Sequence, residues 1–346
     1  MTYAERFASI LEPEIEDPEE GSHANSFLHL SIPNLFAPPP NARTETFLLY
    51  SQPIPSSNLG FVDPRASTVE ARVGGADYTI HQSPGVLSSN RAGGTTGAGT
   101  TARPPSSIFT QKRANTKETC ALPPRKVLWK ISPVFADWLA SPANFLFRAS
   151  PPFLDGTSAV LELGCGISPL NAFALAPRVA SHTLTDQAYV QRFVQRNLDE
   201  NTVPSRTAAR RSKPDKQPPL RPASNIAFAT LDWETDSLPA RRSYDAVLAV
   251  DCVYNYALIP PLVQTCAEAC RRRTQQQEEE AGADGGSGPR PSLCIVAQQL
   301  RNDDVFRTWL AAFVEAFYVW RVPDDKLPEA LRPSAGFVVH IGILRD

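Results

Sequence analysis

The chain lacks the marks of several large protein classes. Its six cysteines (Cys120, Cys165, Cys252, Cys266, Cys270 and Cys294) form no CxxC pair and no even spacing, which argues against a disulfide framework. Cys266 and Cys270 are placed to share a helix face, but no histidine lies near them to complete a metal site. The thiols therefore read as small buried hydrophobes, and no metal is expected. The opening MTYAERFASILEPEIEDPEE has no basic stretch followed by an apolar one, so no secretory signal is expected. No apolar run approaches the roughly 18 residues of a membrane span. The formal net charge is only −2, which provides no global pull toward nucleic acid or an anionic membrane. These absences point to a protein of a reducing compartment, cytoplasm or nucleus, with no membrane partner and no direct nucleic-acid site; a monomer is expected.

Apolar residues make up 42% of the 346, enough for a sizeable core, and the 33 prolines are about twice the usual share of ~5%. The composition changes along the chain. Residues 1–24 are acidic and read as a flexible tail. Residues 25–90 hold the short apolar runs FLHLSIPNLF and ETFLLYSQP, then an alternating stretch around Gly74-Gly75 that signals a hairpin. They read as a β-rich extension. Residues 91–124 have the composition of a flexible linker.

From about residue 125 the pattern is α/β. AVLEL (159–163), SHTLTD (181–186), IAFATLDW (226–233), SYDAVLAVD (243–251) and SLCIVAQQ (292–299) read as strands, with helical periodicity between them. YVWRV (318–322) and GFVVHIGIL (336–344) close the chain. Such alternation predicts a mainly parallel sheet with helices on both faces, and the last two strands make an antiparallel edge. Two polar inserts, 204–224 and 271–291, interrupt it and read as flexible loops, because added loop length costs only logarithmically in entropy; a nucleic-acid or ribosome contact is the alternative.

In an open parallel sheet a ligand lies beyond the carboxyl ends of the strands, where strand order reverses. The first strand of this unit ends in Glu162-Leu163-Gly164-Cys165-Gly166, the second in Asp186, the third in Asp232-Trp233 and the fourth in Val250-Asp251. Glycines let backbone approach a ligand, and a carboxylate at the Asp186 position accepts from both hydroxyls of a ribose. Asp232 suits an adenine amino group and Trp233 suits the face of the ring. The third glycine of GxGxxG is missing, and there is no Gly-Lys-Ser/Thr phosphate loop. A nucleoside cofactor without a pyrophosphate fits better, and S-adenosyl-L-methionine is one.

On these residues the chain resembles the class I, seven-β-strand methyltransferases over 125–346, which implies a Rossmann-like seven-stranded sheet. Asp251-Cys252-Val253-Tyr254, the tryptophan of Val127-Leu128-Trp129-Lys130, and Asp232-Trp233 resemble the protein-lysine branch of that superfamily, whose hallmark is Asp-x-x-Tyr. The strings DCVYN and WKISPVFADWL are similar to the ribosomal-lysine methyltransferases of fungi. The resemblance implies cofactor contacts at Trp129, Glu162, Gly164, Cys165, Gly166, Asp186, Asp232, Trp233 and Val250. It implies a lysine pocket at Asp251 and Tyr254, with the carboxylate receiving the ammonium and the phenol aiming the lone pair. It also implies a protein substrate, in the fungal enzymes the large-subunit stalk protein near the tRNA exit site.

Methyl transfer needs a neutral amine. Roughly 0.04% of an ordinary lysine is neutral at pH 7, a cost of about 4.6 kcal/mol. A neighbouring cation and desolvation both lower that cost. The sequence holds no Ser/His/Asp set or dedicated base, and orientation rather than proton removal is the expected contribution. Two other readings stay open: methylation of a small molecule or nucleic acid, and a non-catalytic binding module on the same fold. Adenine-N6 enzymes carry Asn/Asp-Pro-Pro-aromatic after strand four, whose prolines Asp-Cys-Val-Tyr lacks. A scaffold would have no need of acids at successive strand ends. Ordinary packing is the alternative for Trp129 and Tyr254.

Overall fold

The computed structural model describes residues 3–16, 40–55, 60–83, 126–202, 225–238, 243–281 and 290–345. The helices are α1 (Tyr3–Ala8), α2 (Ala42–Tyr50), α3 (Ile131–Ala140), α4 (Phe145–Arg148), α5 (Leu170–Leu175), α6 (Gln191–Thr202), α7 (Ile259–Ala281) and α8 (Asp303–Ala316). The strands are β1 (Glu14–Ile15), β2 (Thr68–Val73), β3 (Ala76–His81), β4 (Ala159–Leu163), β5 (Ser181–Asp186), β6 (Ile226–Thr230), β7 (Ala246–Val250), β8 (Leu293–Gln299), β9 (Phe317–Arg321) and β10 (Phe337–Leu344).

The main sheet runs β1-β9-β10-β8-β7-β4-β5-β6. The strands from β6 to β8 are parallel, and β10 lies antiparallel between β8 and β9. The fold is thus the expected α/β, Rossmann-like, mostly parallel sheet with an antiparallel terminal pair. Strand order reverses between β4 and β7, which puts the ligand crevice beyond Leu163 and Val250.

Side chains alternate across the sheet with period two. Val160, Ala246, Leu248 and Ile295 face a core shared with α3, α5 and α6. Leu161, Val247, Ala249 and Val296 face a second core under α7 and α8. β7, apolar throughout, and β8, apolar as far as Ala297, are buried on both faces, as central parallel strands must be.

Four features differ from the sequence expectation. The sheet has eight strands, because β1 adds to the free edge of β9 in the register Glu14↔Trp320 and Ile15↔Val319. The expected flexible tail is therefore ordered over 3–16. Phe7 stacks on Phe153 at 4.2 Å and on Trp320 at 5.7 Å, so three apolar anchors (Phe7, Leu11, Ile15) outweigh the acidic composition. ETFLLY is helix rather than strand: Asn41 and Thr44 form a reciprocal capping box, and Glu45, Thr46 and Leu49 form the buried face of α2. The insert at 271–291 is helical as far as Ala281, held by Arg272 Nη1 donating to Leu238 O at 3.1 Å and by an Arg273–Asp245 ion pair at 2.8 Å.

The hairpin around Gly74-Gly75 forms as β2 and β3. It docks on the α/β core through Asn197 and Asn201 of α6, whose side-chain oxygens accept from His81 N–H at 2.7 Å and Thr79 N–H at 2.9 Å. The expected linker 91–124, the apolar run 27–36 and the insert 204–224 lie outside the described residues. Cys165, Cys252, Cys266, Cys270 and Cys294 are all free and buried. Among the described residues there is no metal-binding cluster, and no helix long and apolar enough to cross a membrane.

Candidate active site

The turn after β4 carries the chain back over the crevice with two left-handed residues, Gly164 (φ 64°) and Gly166 (φ 59°). A Cβ at Gly164 would lie 2.8 Å from Cys252 Sγ and 2.9 Å from Trp233 Cζ2, so glycine here lets the indole lie against the turn. Cys252 Sγ donates to Leu163 O at 3.3 Å, tying the segment after β7 to the end of β4. The turn, Trp233 and Cys252 are thereby one assembly.

Asp186 ends β5 facing that turn. Its Oδ2 accepts from Gly166 N–H at 2.8 Å and its Oδ1 from Gln187 N–H at 2.7 Å. A carboxylate offers about four lone-pair positions, so two remain for the paired hydroxyls of a ribose. Burial raises the Asp186 pKa, the two N–H donors oppose the rise, and Glu162 adds to it. Gln187 joins this carboxylate to the next: its Nε2 donates to Asp232 Oδ2 at 2.8 Å, while Asp232 Oδ1 accepts from Glu234 N–H at 3.0 Å.

The local field is negative. Burial is the main cause of the raised thiol pKa values of Cys165 and Cys252, and the charge of Asp186 raises both further. Glu162 adds to the first, and Asp251 adds to the second before a smaller push from Glu162. Such a turn is poorly suited to a pyrophosphate and well suited to a cationic sulfonium. The glycine cradle and the half-filled Asp186 carboxylate thus fit S-adenosyl-L-methionine.

Asp251 has φ 61°, alone among the described non-glycine residues in the left-handed region. Its carboxylate is already engaged: Arg301 Nη1 donates to Oδ1 at 2.7 Å and Arg301 Nη2 to Oδ2 at 2.6 Å. The Arg301 guanidinium also lies 5.1 Å from the centre of the Trp129 ring. Trp129 therefore lies against the guanidinium that grips Asp251, and packs on Phe61 at 4.8 Å.

Tyr254 emerges from the same turn, 62% exposed. The protein around it still desolvates the phenol, which with Cys252, Asp186 and Asp251 pushes its pKa up to about 12. Tyr189, also exposed, has its pKa raised by burial, then by Asp186 and Tyr254.

Glu162 stands apart from this set. Its Oε1 accepts from Asn171 Nδ2 at 2.8 Å and its Oε2 lies 3.0 Å from His182 Nε2, all three groups being buried. The side chain braces β4, β5 and α5 inside the core. Gln187, Tyr189 and Arg301 were not singled out by sequence. Tyr189 carried a signal, an aromatic three residues past Asp186, and Arg301 followed a strand end, where the other strands carry acids.

Residues 113–276 match the family described as lysine methyltransferase. Among curated proteins, the chain is 25% identical to a ribosomal lysine N-methyltransferase 5 of Candida glabrata, over 58% of this chain and 66% of that one. It is 27% identical to a protein of Schizosaccharomyces pombe named diaminohydroxyphosphoribosylamino-pyrimidine deaminase, over 53% of this chain and 36% of that one. The chain thus spans between about a third and two thirds of these relatives' lengths. Among solved structures, the N-methyltransferase NodS from Bradyrhizobium japonicum WM9 in complex with S-adenosyl-l-homocysteine aligns at 12% identity, with a TM-score of 0.35. That alignment covers 61% of this chain and 86% of that one. The match to the lysine methyltransferase family agrees with the fit of the negative, glycine-lined turn to S-adenosyl-L-methionine.

Proposed function

We propose that the chain is an S-adenosyl-L-methionine-dependent protein-lysine N-methyltransferase that acts on a ribosomal protein in the cytoplasm. The observation that carries the reading is the Asp251-to-Tyr254 turn, set at the strand reversal beside the glycine cradle, in a stretch that matches the lysine methyltransferase family.

The bound cofactor supplies an electrophilic methyl group on a sulfonium. The chain's own residues bind and orient. Gly164, Cys165 and Gly166 give a backbone surface for close approach, Asp186 accepts from the ribose, and Asp232 with Trp233 takes the adenine. Val250, buried at the end of β7, contributes backbone to the same wall. Trp129 closes the side nearest Asp251. With a pKa of about 12, Tyr254 stays a neutral phenol at working pH. It therefore aims an amine by hydrogen bonding and does not remove its proton. Holding the amine in line in a desolvated mouth supplies the rate advantage, and the cation in the site favours the neutral amine.

The ribosomal target is supported by the similarity to the Candida glabrata enzyme, and the large-subunit stalk protein near the tRNA exit site is the specific substrate we favour. The test is incubation of the purified chain and labelled S-adenosyl-L-methionine with a fungal extract that has been stripped of endogenous methylation. Label in one large-subunit ribosomal protein is the expected result. Label confined to RNA or to small molecules would overturn the reading.

A further inference from the structure

Asp251 is the residue that the Asp-x-x-Tyr pattern offers as a receiver for the substrate ammonium. The geometry around it describes a different task. Oδ1 takes Arg301 Nη1 at 2.7 Å and faces Gln299 N–H at 3.4 Å, and Oδ2 takes Arg301 Nη2 at 2.6 Å. This is the two-pronged contact that a guanidinium makes with a carboxylate, and it fixes direction as well as distance. An incoming ammonium would have to displace one prong and sit beside a second cation.

The fork is itself held. Arg301 Nη2 also donates to Gln299 Oε1 at 2.8 Å, and the Arg301 side chain is only 25% exposed. The segment 60–62 pairs with 128–130, Lys130 N–H donating to Gly60 O at 2.8 Å and Val62 N–H to Leu128 O at 3.0 Å. This lays Gly60 against the guanidinium: a Cβ there would run into Gln299 Oε1 and come within 2.5 Å of Arg301 Nη2. The Trp129 ring covers another side of the guanidinium, and the Tyr50 phenol is hydrogen-bonded to the Arg301 backbone.

On the other side of Asp251 the chain is equally fixed. Asp251 N–H donates to Ala297 O at 2.7 Å, Cys252 Sγ donates to Leu163 O, and Val253 is buried. Three residues after the left-handed Asp251, Tyr254 is the first side chain of the turn to stand open. A non-glycine residue held at φ 61° persists where its surroundings over-determine it, and such sites gather where a side chain must be presented.

We propose that Arg301 is a positioning residue for the transfer reaction: its fork locks Asp251 into the turn that presents Tyr254, and the N-terminal segment at Gly60 locks the fork. Asp251 is then a strut and not the ammonium receiver. The assignment to a transfer reaction rests on the function proposed above, while the grip on the turn does not.

The test uses the full chain with Arg301→Gln, Arg301→Lys and the double variant Asp251→Asn/Arg301→Gln, which restores a hydrogen-bonded pair without charge. Hydrogen exchange is measured first. In Arg301→Gln, amides of 251–255 should exchange about tenfold faster or more, with β4 and β5 unchanged. Single-turnover transfer into the extract protein is measured next, with S-adenosyl-homocysteine binding alongside. The limiting rate should fall about tenfold or more in both single variants, at a half-saturating acceptor concentration and a cofactor affinity held within about threefold. The double variant should regain part of both the protection and the rate. Unchanged exchange over 251–255 in Arg301→Gln would overturn the proposal. So would an undiminished rate in that variant, since it would mean that a freed Asp251 receives the amine directly. If the wild-type chain labels no protein lysine, the proposed function fails, and exchange still decides the grip of Arg301.

Discussion

Replacing Asp186 by asparagine should separate what this carboxylate does for the cofactor from what it does for the fold. In the folded protein burial raises its pKa above the ordinary 3.8, against the pull of two N–H donors. A raised carboxylate pKa means that the native state binds more protons than the unfolded one just above pH 3.8. Stability from this group is therefore complete below that value and is lost as pH climbs through the folded pKa. At neutral pH the buried charge is a burden on the free protein, which an asparagine removes. Asparagine keeps one carbonyl oxygen for Gly166 N–H, but its NH2 cannot accept from a ribose hydroxyl. Losing hydrogen bonds to a charged group costs about 1.5–3 kcal/mol, or about 10- to 150-fold in Kd. Calorimetry with S-adenosyl-homocysteine should show that loss, while the melting temperature of the free protein holds or rises. Wild-type affinity in Asp186→Asn would remove the residue from the cofactor site. A large fall in free-protein stability would show that the charge stabilises the fold, contrary to the reasoning.

Other outcomes follow from the same structure. Tyr254→Phe should leave S-adenosyl-homocysteine affinity unchanged and slow single-turnover transfer about ten- to a hundredfold, roughly 1.4–2.7 kcal/mol of barrier. Arg273→Ala strands the buried Asp245, whose Oδ2 accepts from Ala159 N–H at the start of β4. Denaturant unfolding should show a loss of about 2–3 kcal/mol, less than the 3–5 of a fully buried pair because the arginine is partly exposed. The α2 helix docks through Glu45, 3.4 Å from His340 and 3.1 Å from Arg321. Burial works to raise the Glu45 pKa, but His340 and Arg321 outweigh it and the net shift is downward; burial lowers that of His340. Both shifts contribute stability that is lost on acidification, first below the ordinary histidine value of 6.5 and then below the 4.5 of a glutamate. Melting temperature against pH should fall across that window, and the lower part of the fall should flatten in Glu45→Gln.

The crevice at the strand reversal was legible because the strands that border it are short and end abruptly in a glycine or an acid. AVLEL-GCG, SHTLTD and AVLAVD advertise both the strand and the ligand end, and period and punctuation are local signals. What was not legible depends on partners far along the chain. Arg301 reads as one more solvated cation until the sheet brings it to Asp251, fifty residues away. The N-terminal residues read as a polar tail because Phe7, Leu11 and Ile15 are scattered among acids, and nothing nearby shows that the edge of β9 waits for them. Glu162 sits in the glycine motif, but sheet alternation turns its side chain toward Asn171 and His182. Strand periodicity fixes a face, and the motif alone does not.

The most direct test of the central claim is the chemical identity of the methylated group. The purified chain is incubated with methyl-labelled S-adenosyl-L-methionine and fungal ribosomes, and the protein fraction is hydrolysed to amino acids in acid. The account predicts that the label elutes as methylated lysine, and that Tyr254→Phe reduces it in step with the transfer rate. Label eluting as methylated arginine or histidine, or none in protein despite cofactor binding, would contradict it.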